Sequence, residues 1–351
     1  MKKRIVAVMM AAAMALSMAA CGSSASDSTS SEAASSAAES ASSTGEAAEA
    51  GEENEDVKIS LVFKTLASEH WQLMKAGAEA WADEHPEATV DIVGPPSETS
   101  YDEQLNMIET TRNSDYDAYV IAPLQSDQVA TAIAGETRPV IAVDTAIDAP
   151  EVIGFVGTGN EEAAKMGAIE AVQAAKDAGW EEIKCIEIAG VQGDQTNTAR
   201  MNGYKAGINE AGGEFLEDEV QYAEAVADKA VLCMEAIMQK FPEGIAIICA
   251  NNDDMAVAAA KVAAESGNEN YANTIFLGFD GSTAACEAVL DGRLTLTCAQ
   301  QPYEMGYLAC QAAYEAANGQ EIDEVIDSGT EIINTANAQE RLDTVNGYIE
   351  G

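Results

Sequence analysis

The chain alternates short apolar runs with helical segments, twice over, and no other feature narrows its fold as far. The pattern is sharpest over residues 245–302, where three units repeat: an apolar run, a polar end, then a helix or turn. The runs are Ile245-Ala-Ile-Ile-Cys-Ala-Asn-Asn-Asp-Asp254, Thr274-Ile-Phe-Leu-Gly-Phe-Asp-Gly281 and Leu294-Thr-Leu-Thr-Cys-Ala-Gln-Gln-Pro302. Runs this short, bounded by turn residues and spaced by helices, predict buried parallel strands. Ligands of such sheets bind beyond the carboxyl ends of the strands. Asn252, Asp280 and Gln300 are therefore expected on one wall of a small-molecule site.

The same alternation opens earlier. Strands are expected over residues 57–63, 88–93, 119–122, 140–143 and 152–156, with helices over 71–84, 101–113 and 128–134. A second round brings helices over 161–178, 198–207 and 229–240 and strands over 183–188 and 219–222. After residue 302 come a helix over 305–318, a last strand over 330–334 and a polar tail. Repeated β-α units imply parallel sheets with helices on both faces. Two rounds exceed one open sheet of ordinary width. The expected architecture is α/β, two doubly wound lobes with a cleft between them, and such clefts are favoured ligand sites.

The amino terminus reads as an address. Met1-Lys-Lys-Arg4 is a basic n-region and residues 5–15 an apolar stretch too short to span a bilayer. Leu16-Ser-Met-Ala-Ala-Cys21 follows, then Gly-Ser-Ser. Residues 22–56 hold nine acidic residues, no basic residue and no Leu, Ile, Val or aromatic residue. Such a composition cannot bury enough apolar area to offset its ordering entropy, and a tether is expected. The folded part is expected to begin at Val57. Formal charge is −42, from 60 acidic and 18 basic residues. That excludes nucleic acid and anionic membrane surfaces as partners, since both require clustered Lys and Arg, and it favours a monomer.

At this point the residues carry a resemblance. Phe63-Lys-Thr-Leu66, Tyr119-Val-Ile-Ala-Pro123, Val140-Ile-Ala-Val-Asp144, Arg200-Met-Asn-Gly-Tyr204, Ala250-Asn-Asn-Asp-Asp-Met-Ala256, Gly278-Phe-Asp-Gly281 and Ala299-Gln-Gln-Pro302 occur in this order. The chain resembles the ribose- and galactose-type sugar-binding proteins of bacterial ABC importers over residues 57–337. The segment ending at Cys21 likewise resembles a lipoprotein signal, although Met18 sits where a small residue is usual. The resemblance implies the type I periplasmic-binding-protein fold, with lobes of 57–158 plus 301–329 and 159–300 plus 330–351. It implies a lipidated Cys21, an extracytoplasmic location at the membrane, and delivery of a sugar or polyol to an ABC permease. Carried over residue by residue, Asp144, Arg200, Asn252, Asp280 and Gln300 match hydroxyl contacts, and Trp71 matches an aromatic stacked on the sugar. Planar carboxylate, amide and guanidinium groups suit vicinal hydroxyls, which donate and accept together.

The chain also departs from the pattern. His70 replaces one of two aromatic residues, Ser68 stands where an Asn is common, and Thr145 where an Arg often follows the Asp. Ala225 occupies an aromatic position and Ala122 one where relatives place an Asn. These differences weigh against ribose itself and leave a polyol, another sugar or a sugar-like furanose open. Lys64, a cation at a strand end, would suit an anionic ligand.

Plainer roles stand beside these. Trp71 also fits a helix core, Asp144 and Asp280 also fit turns or helix caps, Arg200 also fits a surface ion pair, and Asp253 and Asp254 are expected to cap a helix. Six Cys follow Cys21 without metal or redox spacing, and buried free thiols are expected. Gly157-Thr-Gly159 is too slight for a dinucleotide fingerprint, and no nucleophile elbow or phosphate loop is present. Neither catalysis nor a metal or cofactor is expected.

Overall fold

The computed structural model describes residues 57–350. The expectations for Cys21 and the acidic segment lie outside the described residues. The first lobe opens with β1 (Val57–Val62), α1 (Glu69–Glu84), β2 (Ala88–Val93), α2 (Tyr101–Arg112), β3 (Ala118–Ile121), α3 (Ser126–Ala132), β4 (Val140–Val143) and β5 (Val152–Gly157). The second continues with α4 (Asn160–Asp177), β6 (Lys184–Ala189), α5 (Gln195–Glu210), β7 (Glu214–Phe215), β8 (Gln221–Tyr222), α6 (Ala227–Lys240), β9 (Ile247–Ala250), α7 (Asp253–Glu265), β10 (Ile275–Asp280), α8 (Thr283–Leu290) and β11 (Leu296–Gln300). Then follow α9 (Pro302–Ala317), β12 (Val325–Asp327), β13 (Thr330–Ile333) and α10 (Ala338–Glu350).

Two sheets result. The first has six strands in the order β12-β5-β4-β3-β1-β2, all parallel. The second has seven: β13-β11-β10-β9-β6-β7, with β8 also on β6. It is parallel apart from β13, which runs antiparallel to β11. The central strands β3, β4 and β9 are buried at every position, as strands covered on both faces must be. Edge strand β2 is nowhere buried. Each sheet carries one apolar cluster per face. In the first lobe, one joins β1 and β3 to α1 and α9 and the other joins β3 to α2 and α3. In the second, α6, α7 and α8 cover one face and α4 and α5 the other. The chain thus passes between sheets after β5, after β11 and at Ser328-Gly329.

Two expectations need correction, and one strand was not expected. The polar tail is a helix, α10, which packs on α8 and buries Ala338 and Val345. Residues 219–222 are not one strand, because the acidic Glu217–Glu219 turn is 3-10 helical and only Gln221–Tyr222 pairs with β6. The short β12 was not foreseen; it holds one edge of the first sheet. All six cysteines in the described residues are free, five of them buried.

Candidate functional site

Strand ends and helix starts from both lobes converge on one cavity of about 90 Å³. Lys64, Ser68, His70, Trp71, Glu98 and Asp144 line it from the first lobe. Asp194, Arg200, Asn252, Asp280 and Gln300 line it from the second lobe and the crossing after β11. Every residue that the sequence singled out for ligand contact therefore lies on this cavity.

The two acids at strand ends share a backbone feature. Asp144 has φ 63° and Asp280 φ 129°, both in the left-handed region that favours glycine. Holding a β-carbon there costs on the order of 1 kcal/mol or more, and such strain gathers at functional sites. It turns each carboxylate off its strand and into the cleft.

Asp144 Oδ1 lies 3.0 Å from His70 Nε2, and its Oδ2 accepts from Thr145 Oγ1 at 2.8 Å. Burial pushes the Asp144 carboxyl up, but His70, Lys64 and Arg200 together hold it well below the usual carboxylate range. On the opposite wall, Arg200 Nε donates to Asn160 Oδ1 and Nη1 to the Asn251 carbonyl, each at 2.8 Å. Its guanidinium lies over the Phe279 ring, 3.8 Å from the centroid, and its Nη1 is 3.7 Å from Asp280 Oδ1. Gln300 Nε2 donates to the same Asp280 oxygen at 2.7 Å.

Lys64 is buried just beyond β1. Its Nζ donates to Asp194 Oδ2 of the other lobe at 2.5 Å and lies 3.7 Å from Asp144 Oδ2. Burial opposes its charge, yet Asp194, Asp144 and Glu98 raise its pKa. This cation is therefore matched within the protein. Trp71 takes the helix-core place foreseen for it and also reaches the cavity wall. It packs on Phe63 in the core, while its Nε1 donates to Glu98 at 3.0 Å beside the cavity. Ser68 precedes α1 without a capping bond from its side chain.

The helix-cap expectation moves by one residue. Asn252 is the cap of α7, its Oδ1 accepting from Met255 N at 3.0 Å. Asp253 is buried instead between Thr297 Oγ1 at 2.6 Å and Ser282 N at 2.8 Å. Burial first, then the Asp280 charge, pushes its carboxyl up to about 7. Ala225 also lines the cavity, its carbonyl 3.5 Å from Asn252 Nδ2.

Sequence reasoning missed Glu98 and Asp194. Glu98 sits in the loop after β2, where no periodicity points inward. Asp194 reads as an ordinary cap, and it does cap α5, accepting from Asn197 N at 2.7 Å. Its second oxygen reaches Lys64 only because the lobes meet.

Carboxylate, amide and guanidinium groups present fixed donors and acceptors here, an arrangement that suits binding. The periplasmic binding protein domain family matches residues 59–321. The ribose import binding protein of Bacillus subtilis (strain 168) is 28% identical over 272 residues, 76% of this chain and 84% of that one. The D-allose-binding periplasmic protein of Escherichia coli (strain K12) is 30% identical over 259 residues, 71% and 81%. The fold matches the carbohydrate transporter solute binding protein of Agrobacterium radiobacter, solved with D-arabinose, at a TM-score of 0.75 and 22% identity, covering 84% of this chain and 99% of that one.

Proposed function

We propose, from the premise that the chain belongs to the periplasmic binding protein family, that it captures a monosaccharide or polyol between its lobes and delivers it to an ABC permease. One observation carries this reading. Asp144 from one lobe and Arg200, Asp280 and Gln300 from the other meet in a single buried cavity. Vicinal hydroxyls satisfy such groups in pairs, and a buried group left unpaired costs about 1–3 kcal/mol, which supplies specificity. The ribose- and allose-binding relatives support the sugar class. The departures at His70, Thr145 and Ala225 favour a ligand other than ribose. Cys21 would carry the lipid that holds the protein outside the cell membrane, and the chain would work as a monomer. Closure of the lobes over ligand would present the face that the permease reads.

Calorimetry against neutral sugars and polyols tests this. Saturable binding of at least one is expected. Tight binding of a nucleoside or amino acid, with none of the sugars bound, would sink the proposal.

A further inference from the structure

Among the described residues, few buried side-chain polar atoms lack a partner, and two of them belong to residues that line the cavity: His70 Nδ1 and Gln300 Oε1. Both sit beside Asp280. Gln300 already spends its amide nitrogen on Asp280 Oδ1, which leaves its Oε1 as an open acceptor. His70 already spends Nε2 on Asp144, which leaves Nδ1 turned toward Asp280 Oδ1 at 3.9 Å. That gap is too long for a direct hydrogen bond.

We propose that His70 binds the ligand directly as an imidazolium, its Nδ1–H donating to a hydroxyl that in turn donates to Asp280, while Gln300 Oε1 accepts from the neighbouring hydroxyl. The cluster then reads a vicinal diol, and His70 becomes a residue that sets specificity where the family pattern has an aromatic ring. This rests on the polyol reading of the cleft.

The charge state follows from the neighbours. A neutral ring bonded to Asp144 through Nε2–H would turn its Nδ1 lone pair toward the Asp280 carboxylate. Protonation converts that repulsion into a donor aimed at an acceptor. The charged groups around the ring are Asp144 at the end of β4, Asp280 on β10, Arg200 on α5, Lys64 beyond β1, Glu69 on its own helix and Asp254 on α7. Burial lowers the His70 pKa, but the Asp144 bond and charge and the Asp280 charge outweigh it, against opposition from Arg200, and the net direction is upward. Because the charged form binds, affinity is complete below the raised pKa and falls as pH rises through it, approaching tenfold per pH unit beyond.

The chain has two histidines, so nitrogen NMR of the full chain labelled at histidine, with His85→Asn for assignment, isolates His70. The free protein is expected to show His70 protonated on both nitrogens to a pH above the ordinary value of about 6.5. Titration at or below that value overturns the proposal whatever ligand is used. Calorimetry with the sugars that bind, from about pH 5 to about pH 9, is expected to show affinity falling with pH. His70→Gln, which keeps an amide donor without a titrating group, is expected to bind at least tenfold more weakly at low pH and with a flatter profile, in which Asp253, pushed up to about 7, is the remaining group that titrates at the cavity. A flat wild-type profile, or His70→Gln matching wild type throughout, overturns this inference and leaves the sugar reading intact. Failure of every sugar and polyol to bind overturns both.

Discussion

Asp280 gathers partners from both lobes: Gln300 by a direct bond, with Arg200 and His70 slightly further out. Asp280→Asn keeps its shape and removes the charge that these donors meet. Ligand affinity is expected to fall about ten- to a thousandfold, on the order of 1.5–4 kcal/mol, with thermal stability nearly unchanged; calorimetry and a melting curve check both. Another buried acid, Glu187 on β6, has one oxygen 3.3 Å from Asn251 Nδ2 and the other without a partner. Burial pushes its carboxyl up to about 8. A carboxyl pKa raised on folding gives stability that is complete below its unfolded value of about 4.5 and is lost as pH rises through about 8. Glu187→Gln is therefore expected to flatten the decline of stability toward alkaline pH. At about pH 9 it should stabilise by roughly 1–3 kcal/mol over wild type, as denaturant melts at several pH values would show. Asp144, Asp280 and Gln300 were legible because each ends an apolar run, whereas Arg200, inside α5, was legible only through the family resemblance. Glu187, inside an apolar strand, gave a charge in the wrong place and no sign of its partner.

At the scale of elements, helix contacts set the cleft. α1, which presents His70 and Trp71, lies directly on α9, which returns the chain to the first lobe. The two helices approach so closely that a β-carbon at Gly306 would collide with the Met74 carbonyl oxygen, and one at Gly77 with that of Tyr303. Gly306→Ala is expected to destabilise the fold by about 1–3 kcal/mol, the cost of overpacking, against the small gain that Ala gives an ordinary helix; chemical denaturation measures it. The tail shows what a polar sequence hides. Ala338 and Val345 hold the buried helical spacing of α10. Buried Arg341 between them donates to the carbonyls of Gly281 and Gln300 and to Gln301 Oε1. A charged residue in a polar stretch reads as solvated, yet here it ties the last helix to a chain crossing.

Over the whole molecule, the lobes are closed on each other through polar side chains. Lys64 meets Asp194, Thr145 Oγ1 lies 2.5 Å from Thr196 Oγ1, and Glu69 accepts from both the backbone N and the hydroxyl of Thr283 at the start of α8. The Glu69 contact lies at the rim and places a carboxylate on a helix amino terminus, which the helix dipole favours. Glu69→Gln is expected to shift the ligand-free chain toward an open form and to speed ligand release a few-fold, about 0.5–1 kcal/mol. Small-angle scattering and stopped-flow release measure the two. An unchanged radius of gyration together with an unchanged release rate would contradict this role for the rim contact.

The sequence alone determined the repeated β-α order, and with it the parallel sheets, both lobes and the edge where strand-end side chains emerge, because periodicity of 2 and 3.6 is a local property. It could not determine which side chains meet across the cleft. Lys64 and Asp194 are 130 positions apart, and their pairing arises only once two independently ordered lobes are packed face to face. The same packing leaves His70 Nδ1 and Gln300 Oε1 buried without partners, since hydrogen-bond satisfaction belongs to the folded surroundings of an atom and not to its place in the chain.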